Sequence, residues 1–404
     1  MLPLDGIDLR PFGHLPPMST RKYHWRPQPA SHSNPHPHWG APPWHIDFTV
    51  RSKPVPPSVD FAIVGGGFTG LTAAAWLRHL APEKSVAVFE ADRIGAGASG
   101  RTGGMALAES AAGDLPGLGN VLEGLERILA ELDIDCELSL PGAFEIGRSK
   151  GLAHSPIQWN DAGTLRAVKR VPGGTLDPGQ MVAGLARAAD ERGSTILEGH
   201  PVSRVEWERR AIVRAGGARC SAGKILFATN ALALELTSLA GRAEPKLTLA
   251  VLTEPMDEKR LEAIGLAGGN PFYTVDLPYL WGRRRCDGSV IFGAGLVDAD
   301  DSLDLSQIDI TIGDARNLLE SIERRIHNLH PALAGIGITH RWGGPILFRE
   351  NWRPVFMSHP QSKNAIVLGA YAGHGVALSV YLGAWAAEAL LGRRKFPPWG
   401  LLPQ

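Results

Sequence analysis

The sequence predicts an α/β protein, α+β overall, in which a Rossmann-like dinucleotide-binding domain is interrupted by a second domain built on an antiparallel sheet. Three observations lead there. A short apolar run, residues 61–64, enters Gly65-Gly66-Gly67-Phe68-Thr69-Gly70 and is followed by a helix pattern and a second apolar run. A second glycine-rich segment, "ADRIGAGASGRTGG", comes directly afterwards. A strand, glycine turn and helix pattern then recurs near the C-terminus in "AIVLGAYAGHGVALSVYLGAWAAEALLG".

Composition limits the function classes. The 404 residues, 44% of them hydrophobic, can bury one large or two medium cores. Lys+Arg and Asp+Glu both number 41, so no net field draws in nucleic acid or an anionic membrane. Cys136, Cys220 and Cys286 form no CxxC pair, which argues against a disulfide framework or structural zinc and fits a reducing compartment. The N-terminus lacks the order of a signal peptide, and no apolar run reaches the roughly 20 residues of a membrane helix. A cytoplasmic protein is expected.

Residues 1–57 are rich in Pro, His and Trp and read as an arm that either wraps the body or is partly disordered. Its histidines, His14, His24, His32, His36, His38 and His45, have no compact ligand spacing, so no metal is assigned. Trp39, Trp44 and Phe48 are expected to pin the arm onto the core or cover a pocket. "FAIV", the helix over "TGLTAAAWLRHL" and the strand "SVAVFE" then complete a βαβ unit. Gly65 makes the tight turn, Gly67 admits a pyrophosphate, and Gly70 permits close helix–strand packing; Phe68 and Thr69 lie between them. The helix N-terminus faces the anion. Glu90, 20 residues after Gly70 and followed by Ala91, stands where an acid bonds a ribose.

The second turn points to FAD rather than NAD, because a second donor-rich cradle suits a longer ligand. At "GASGRTGG" the chain resembles the glycine oxidase, D-amino-acid oxidase and sarcosine oxidase superfamily of flavoproteins, and within it the gamma-glutamylputrescine oxidase-like branch. The resemblance implies that Ser99, Gly100, Arg101, Thr102, Gly103 and Gly104 contact cofactor or the substrate side. It extends over most of residues 59–395. Asp177 and Pro178 open a helix as N-cap and first position, followed by a strand in which Val202 is implied at the adenine side. "KILFATNA" resembles a family signature at Thr229 and Asn230, two residues expected to close the FAD domain. "GHGV" implies Gly373, His374, Gly375, Val376 and Ala377 at the flavin pyrimidine, beside a helix dipole.

Residues 58–130, 175–240 and 341–404 are assigned to the FAD-binding domain, and 131–174 with 241–340 to a substrate domain. Strand-like "GAFEIGRS", "PYLWGRRR" and "SVIFGAG" and the helix "IGDARNLLESIERRIHNL" would build the latter. The resemblance implies oxidation of an amine C–N bond, primary or secondary and polyamine-like, to an imine by hydride transfer to flavin N5. Dioxygen or an electron carrier would reoxidise the flavin. The expected carboxylate-clamping Arg is displaced: "HRWGGPILFRENWRPVF" has Trp342-Gly343-Gly344 near its place. His374, Tyr371, Trp342 and Arg353 are the candidate catalytic residues, Gly344 a cofactor candidate, and Tyr279 and Trp281 further aromatic walls. Arg283-Arg284-Arg285 read as solvated. With no cysteine near 342 and no histidine in "GRTGGMALAE", FAD is expected to be non-covalent. The specific substrate stays open. A D-amino-acid or glycine-type oxidase, or a non-catalytic FAD-binding scaffold, would share these motifs. An aromatic hydroxylase or a nicotinamide dehydrogenase fits the late turn poorly.

Overall fold

The computed structural model describes residues 38–299 and 304–400. Two eight-stranded sheets organise them. In the first, the spatial order is Val355–His359, Ser362–Gly369, Ala218–Phe227, Ser58–Val64, Val86–Phe89 and Thr195–Leu197, and a meander of Val202–Glu206 and Ala211–Ala215 extends from Ala218–Phe227. Its central pairings are parallel, and a row of Ile366, Leu226, Ile63, Val88 and Ile196 runs straight across it. The apolar run of the first strand is explained by cover on both faces. Phe61 and Ile63 join a core with the helices Phe68–Leu80, Pro178–Glu191 and Gly375–Leu390, whereas Ala62 and Val64 join the core on the opposite face.

The helix Gly375–Leu390 has buried residues all round its surface, including Leu378, Tyr381, Leu382 and Trp385, so it is a core helix. Among the described residues no helix is long and apolar enough to cross a membrane. The helix Pro178–Glu191 starts as its sequence predicts: the Asp177 carboxylate accepts from Gln180 N at 2.9 Å and Pro178 occupies the first turn.

The second sheet runs Ile338–Phe348, Glu244–Thr253, Val290–Asp298, Trp281–Arg284, Phe272–Thr274, Ala143–Gly147, Thr164–Val171 and Gln158–Asn160. Two features differ from the sequence expectation. The sheet is antiparallel except where Phe272–Thr274 pairs parallel with Ala143–Gly147. The segment taken to re-enter the first domain at 341 still belongs to the second sheet, because Trp342, Gly343 and Gly344 pair with Ala250, Leu249 and Thr248. That strand re-enters the first sheet only at Val355. The sequence hid the boundary because glycines inside a strand look like a turn.

The described part of the arm lies against the body. Trp39 is buried, its indole donates to the Leu305 carbonyl at 3.1 Å, and its own carbonyl accepts from Gly343 N at 2.7 Å. Phe48 and Ile46 pack on the helical core. His14, His24, His32 and His36 lie outside the described residues; among those described, no group of His, Cys, Asp and Glu is arranged to hold a metal ion.

Candidate functional site: a long cavity between the two sheets

A cavity of about 1390 Å³ lies where the strand ends of the first sheet face the second. Three glycine turns line it. In the first, Gly65 has φ +110, and a Cβ there would stand 2.7 Å from the Ala228 carbonyl. Gly66 N donates to Glu90 Oε2 at 2.7 Å, and Asp92 N donates to Glu90 Oε1 at 3.0 Å. Burial pushes the Glu90 carboxyl up, against the pull of these N–H groups. Gly67 leads the helix without a side-chain cap of its own; Phe68 N instead donates to Ser99 Oγ at 2.8 Å. A hydroxyl of the second turn therefore caps the helix that the first turn opens, and a Cβ on Gly67 would meet it at 2.8 Å.

The second turn is fastened to the first by Gly95 N donating to the Gly66 carbonyl at 3.0 Å. Arg101 is the hub of its far end. Its guanidinium donates to the carbonyls of Gly40, Gly343 and Ala96 at 2.9, 3.1 and 3.2 Å and lies over the Trp39 ring. Trp44 Nε1 donates to the Gly100 carbonyl at 2.7 Å, and Trp342 Nε1 to that of Arg101 at 2.9 Å. The two indoles meet edge to face at 5.7 Å. Arm, second turn and second sheet thus converge at one corner of the cavity.

The third turn is strained: Ala370, Ala372 and Gly373 have φ of +57, +49 and +90. Asn230 Oδ1 accepts from Ala370 N at 2.9 Å, which ties the ends of two parallel strands and closes the domain as expected for that residue. Tyr371 and Thr69 hydroxyls lie 2.8 Å apart, and burial keeps the Tyr371 hydroxyl protonated far above the usual phenol range. The same cause pushes His374 down to about 4, so its imidazole is neutral at ordinary pH. The helix beginning at Gly375 has no side-chain cap, and Gly375 and Val376 line the cavity.

Gly65, Gly67, Phe68, Thr69, Glu90, Ala91, Ser99, Arg101, Thr102, Gly103, Val202, Thr229, Asn230, Gly344, Gly373, His374, Gly375 and Val376 line one cavity, with Trp342 and Tyr371. Gly70, Gly100, Gly104 and Ala377 stand behind its wall; Gly70, for example, would press a Cβ to 2.0 Å from the Gly65 carbonyl. Arg353 is exposed and outside the cavity, because the chain turns outward between the two sheets at that point. Arg283 corrects the reading of a solvated arginine cluster: it is 6% exposed and its Nε donates to the Gly103 carbonyl, while burial lowers its guanidinium to about 10. The alternation of the strand Trp281–Arg284 turns it inward. Thr248, Ala250, Met105, Leu107 and Ile346 complete the wall; their sequence context carries no motif, and only the sheet pairing brings them there.

Two buried atoms of the cavity wall, Thr229 Oγ1 and His374 Nδ1, lack a hydrogen-bond partner among the described residues. Buried polar atoms of this kind need a partner. Together with the uncapped N-terminus of the helix Gly375–Leu390, the glycine turn that opens the helix Phe68–Leu80 and an acid held at a strand end, they fit a long ligand with a diphosphate, a ribose and a polar ring. The family model described as FAD dependent oxidoreductase, DAO, matches residues 60–389.

The chain belongs to the DAO family of FAD-dependent oxidoreductases.

Among relatives of this DAO-family chain, gamma-glutamylputrescine oxidoreductase of Escherichia coli is 29% identical over 390 residues, covering 85% of this chain and 86% of the relative. The sarcosine oxidase beta subunit of Rhizobium meliloti is 26% identical and covers 79% and 80%. The crystal structure of glycine oxidase from Geobacillus kaustophilus superposes with a TM-score of 0.66 at 18% identity, covering 84% of this chain and 96% of that one.

One consequence for the DAO-family site concerns Glu90. In Glu90→Gln the amide can accept only one of the N–H groups of Gly66 and Asp92 and presents a donor to the other. An unmet buried donor costs about 1–3 kcal/mol. FAD affinity is expected to fall by roughly tenfold or more, measured by titrating the apoprotein with FAD; unchanged affinity would mean that Glu90 only stiffens the turn.

Proposed function

We propose that this enzyme oxidises the C–N bond of a primary or secondary amine, polyamine-like in character, to an imine. The observation that carries the reading is the charge of the cavity wall. Among the described lining residues Arg101 is the single Lys or Arg, and its guanidinium is spent on the carbonyls of Gly40, Gly343 and Ala96. A substrate carboxylate would find no bidentate clamp there. The walls offered instead are Trp281, Tyr279, Met105, Leu107 and Ile346, apolar surfaces suited to the alkyl chain of an amine. The relative named for gamma-glutamylputrescine supports the same class.

Gly65, Gly67, Glu90, Ser99, Gly373 and His374 would hold FAD, with Val202 at its adenine end. Bound FAD supplies the two-electron acceptor for a C–H bond next to nitrogen. The chain's own share is orientation and exclusion of water between the two sheets. Neither Tyr371, held protonated, nor His374, held neutral, removes a proton readily at neutral pH, so the amine is taken up in its neutral form. Cys136 and Cys220 are buried elsewhere and Cys286 is exposed, so no cysteine lines the cavity, which supports non-covalent FAD. Free cysteines also suit a reducing, cytoplasmic setting. Dioxygen or an electron carrier would complete turnover.

The test is anaerobic stopped-flow absorbance of the holoenzyme against polyamines, N-methyl amines and D- and L-amino acids. Bleaching of the flavin bands by amines and not by α-amino acids is expected. Bleaching by α-amino acids alone would overturn the substrate class, and no bleaching by any of them would overturn the amine-oxidising reading.

A further inference from the structure

Tyr279 stands between two hollows. It lines the long cavity and also a second cavity of about 300 Å³ with Leu277, Pro278, Leu296, Leu318 and Arg325. Its side chain packs against the buried cluster of Leu107, Ala143, Val171 and Tyr273, so a shift of its backbone would move the ring along the cavity wall. That backbone belongs to the loop joining the strands Phe272–Thr274 and Trp281–Arg284.

Two arginines grip the loop by consecutive carbonyls. Arg148 Nη1 donates to the Leu277 carbonyl at 3.1 Å, and Arg325 donates to those of Pro278 through Nη2 at 2.7 Å and Tyr279 through Nη1 at 2.9 Å. Asp161 joins the two: its Oδ2 accepts from Arg325 Nη2 at 2.7 Å and from Arg148 Nη2 at 3.3 Å, and its Oδ1 from Arg325 Nε at 3.3 Å. Asp276 stands near the second positive charge, its Oδ2 lying 4.0 Å from Arg148 Nη1 and accepting from the Arg148 backbone N–H at 2.5 Å. The side chains of Asp161, Arg325 and Arg148 are only 12%, 14% and 25% exposed, so this is a largely desolvated network and not a surface pair. Its members come from a strand end, a hairpin turn and the helix Gly313–Leu329, and they meet at this loop.

We propose that Asp161, with Arg148 and Arg325, is a positioning residue that sets substrate affinity by holding Tyr279 against the long cavity. The inference rests on the amine-oxidising reading for its substrate, but the clamp itself is measurable without turnover. In Asp161→Asn holoenzyme, hydrogen exchange at the amides of residues 276–280 is expected to accelerate at least fivefold. The dissociation constant of the amine, taken from the concentration dependence of anaerobic reduction, is expected to rise about tenfold, with the limiting reduction rate changed less than threefold. In a Tyr279→Ala background the same substitution should add less than twofold, because coupled residues are not additive. Arg148→Gln, which leaves Arg325 on Asp161 and on the carbonyls of Pro278 and Tyr279 and removes only the grip on Leu277, should fall between wild type and Asp161→Asn and serves as the milder variant where Asp161→Asn does not fold. Unchanged exchange in 276–280 would overturn the clamp. Altered exchange with unchanged amine affinity, or an equal effect of Asp161→Asn in both backgrounds, would overturn the link to substrate. If no amine reduces the wild-type flavin, the substrate reading fails on its own, and the exchange experiment still decides the clamp.

Discussion

Gly70→Ala is expected to lose FAD and most of its folding stability. A Cβ at this position would lie 2.0 Å from the Gly65 carbonyl oxygen and 3.1 Å from Ile63 Cγ2. The first obstacle is backbone and cannot rotate aside. Relief requires the helix Phe68–Leu80 to withdraw from the strand Ser58–Val64, yet that helix is wedged against the helix Gly375–Leu390, where a Cβ on Gly383 would in turn press to 2.7 Å from the Thr69 carbonyl. Overpacking costs about 1–3 kcal/mol where side chains can yield, and more where they cannot. A cost of roughly 3 kcal/mol on FAD binding alone corresponds to more than a hundredfold. Thermal unfolding with and without added FAD measures both effects. A variant with wild-type melting temperature and a full complement of flavin would show that the helix tolerates the shift.

Arg101→Ala is expected to weaken the holoenzyme from the opposite end of the cavity. It removes donors to the Gly40, Gly343 and Ala96 carbonyls and uncovers the Trp39 ring. Charge-assisted bonds contribute about 1.5–3 kcal/mol each, although partial rehydration at this half-exposed corner lowers their sum. A loss near 3 kcal/mol is expected, with the arm released as a second readout, since Gly40 bridges Trp342 and Trp44 holds Gly100. Limited proteolysis near residues 38–48 should therefore speed up in Arg101→Ala. Arg101→Lys is not expected to restore the wild-type rate, because an ammonium on a flexible stem does not reproduce the planar fork. Equal proteolysis of wild type and Arg101→Ala would mean that the arm is held without this hub.

Much of the cofactor side was legible because its requirements are local. A turn that admits a diphosphate needs residues without Cβ at fixed spacing, and an acid at the end of the next strand follows from the length of one βαβ unit, so Gly65, Gly67, Gly70 and Glu90 can be read from the chain alone. The same holds for the Asp177 cap and for the FAIV run. The substrate side was not legible in this way. Arg353 was placed at the site because it lies near a motif, and it points outward; Arg283 was set aside as solvated, and it is buried against Gly103. Arg283 is turned inward from a paired strand and Arg353 lies in the loop between two strands, and neither placement is revealed by a run of arginines or a nearby motif.

The sequence by itself determined the turns expected to hold FAD: two glycine turns and the acid between them are contiguous motifs whose chemistry is local, and the late GHGV turn is read from its resemblance to the family. Only the tertiary structure decided what stands across from the flavin site. Trp281, Thr248 and Trp342 come from three strands of a sheet whose register is fixed by long-range hydrogen bonds, and Tyr279 from the loop before one of them; the sequence offers the aromatic residues as candidates, and the register brings them together. Asp161 likewise meets Arg325 from a helix far along the chain. Such contacts leave no periodic or spaced signature, because each residue is chosen to fit a neighbour that only folding supplies.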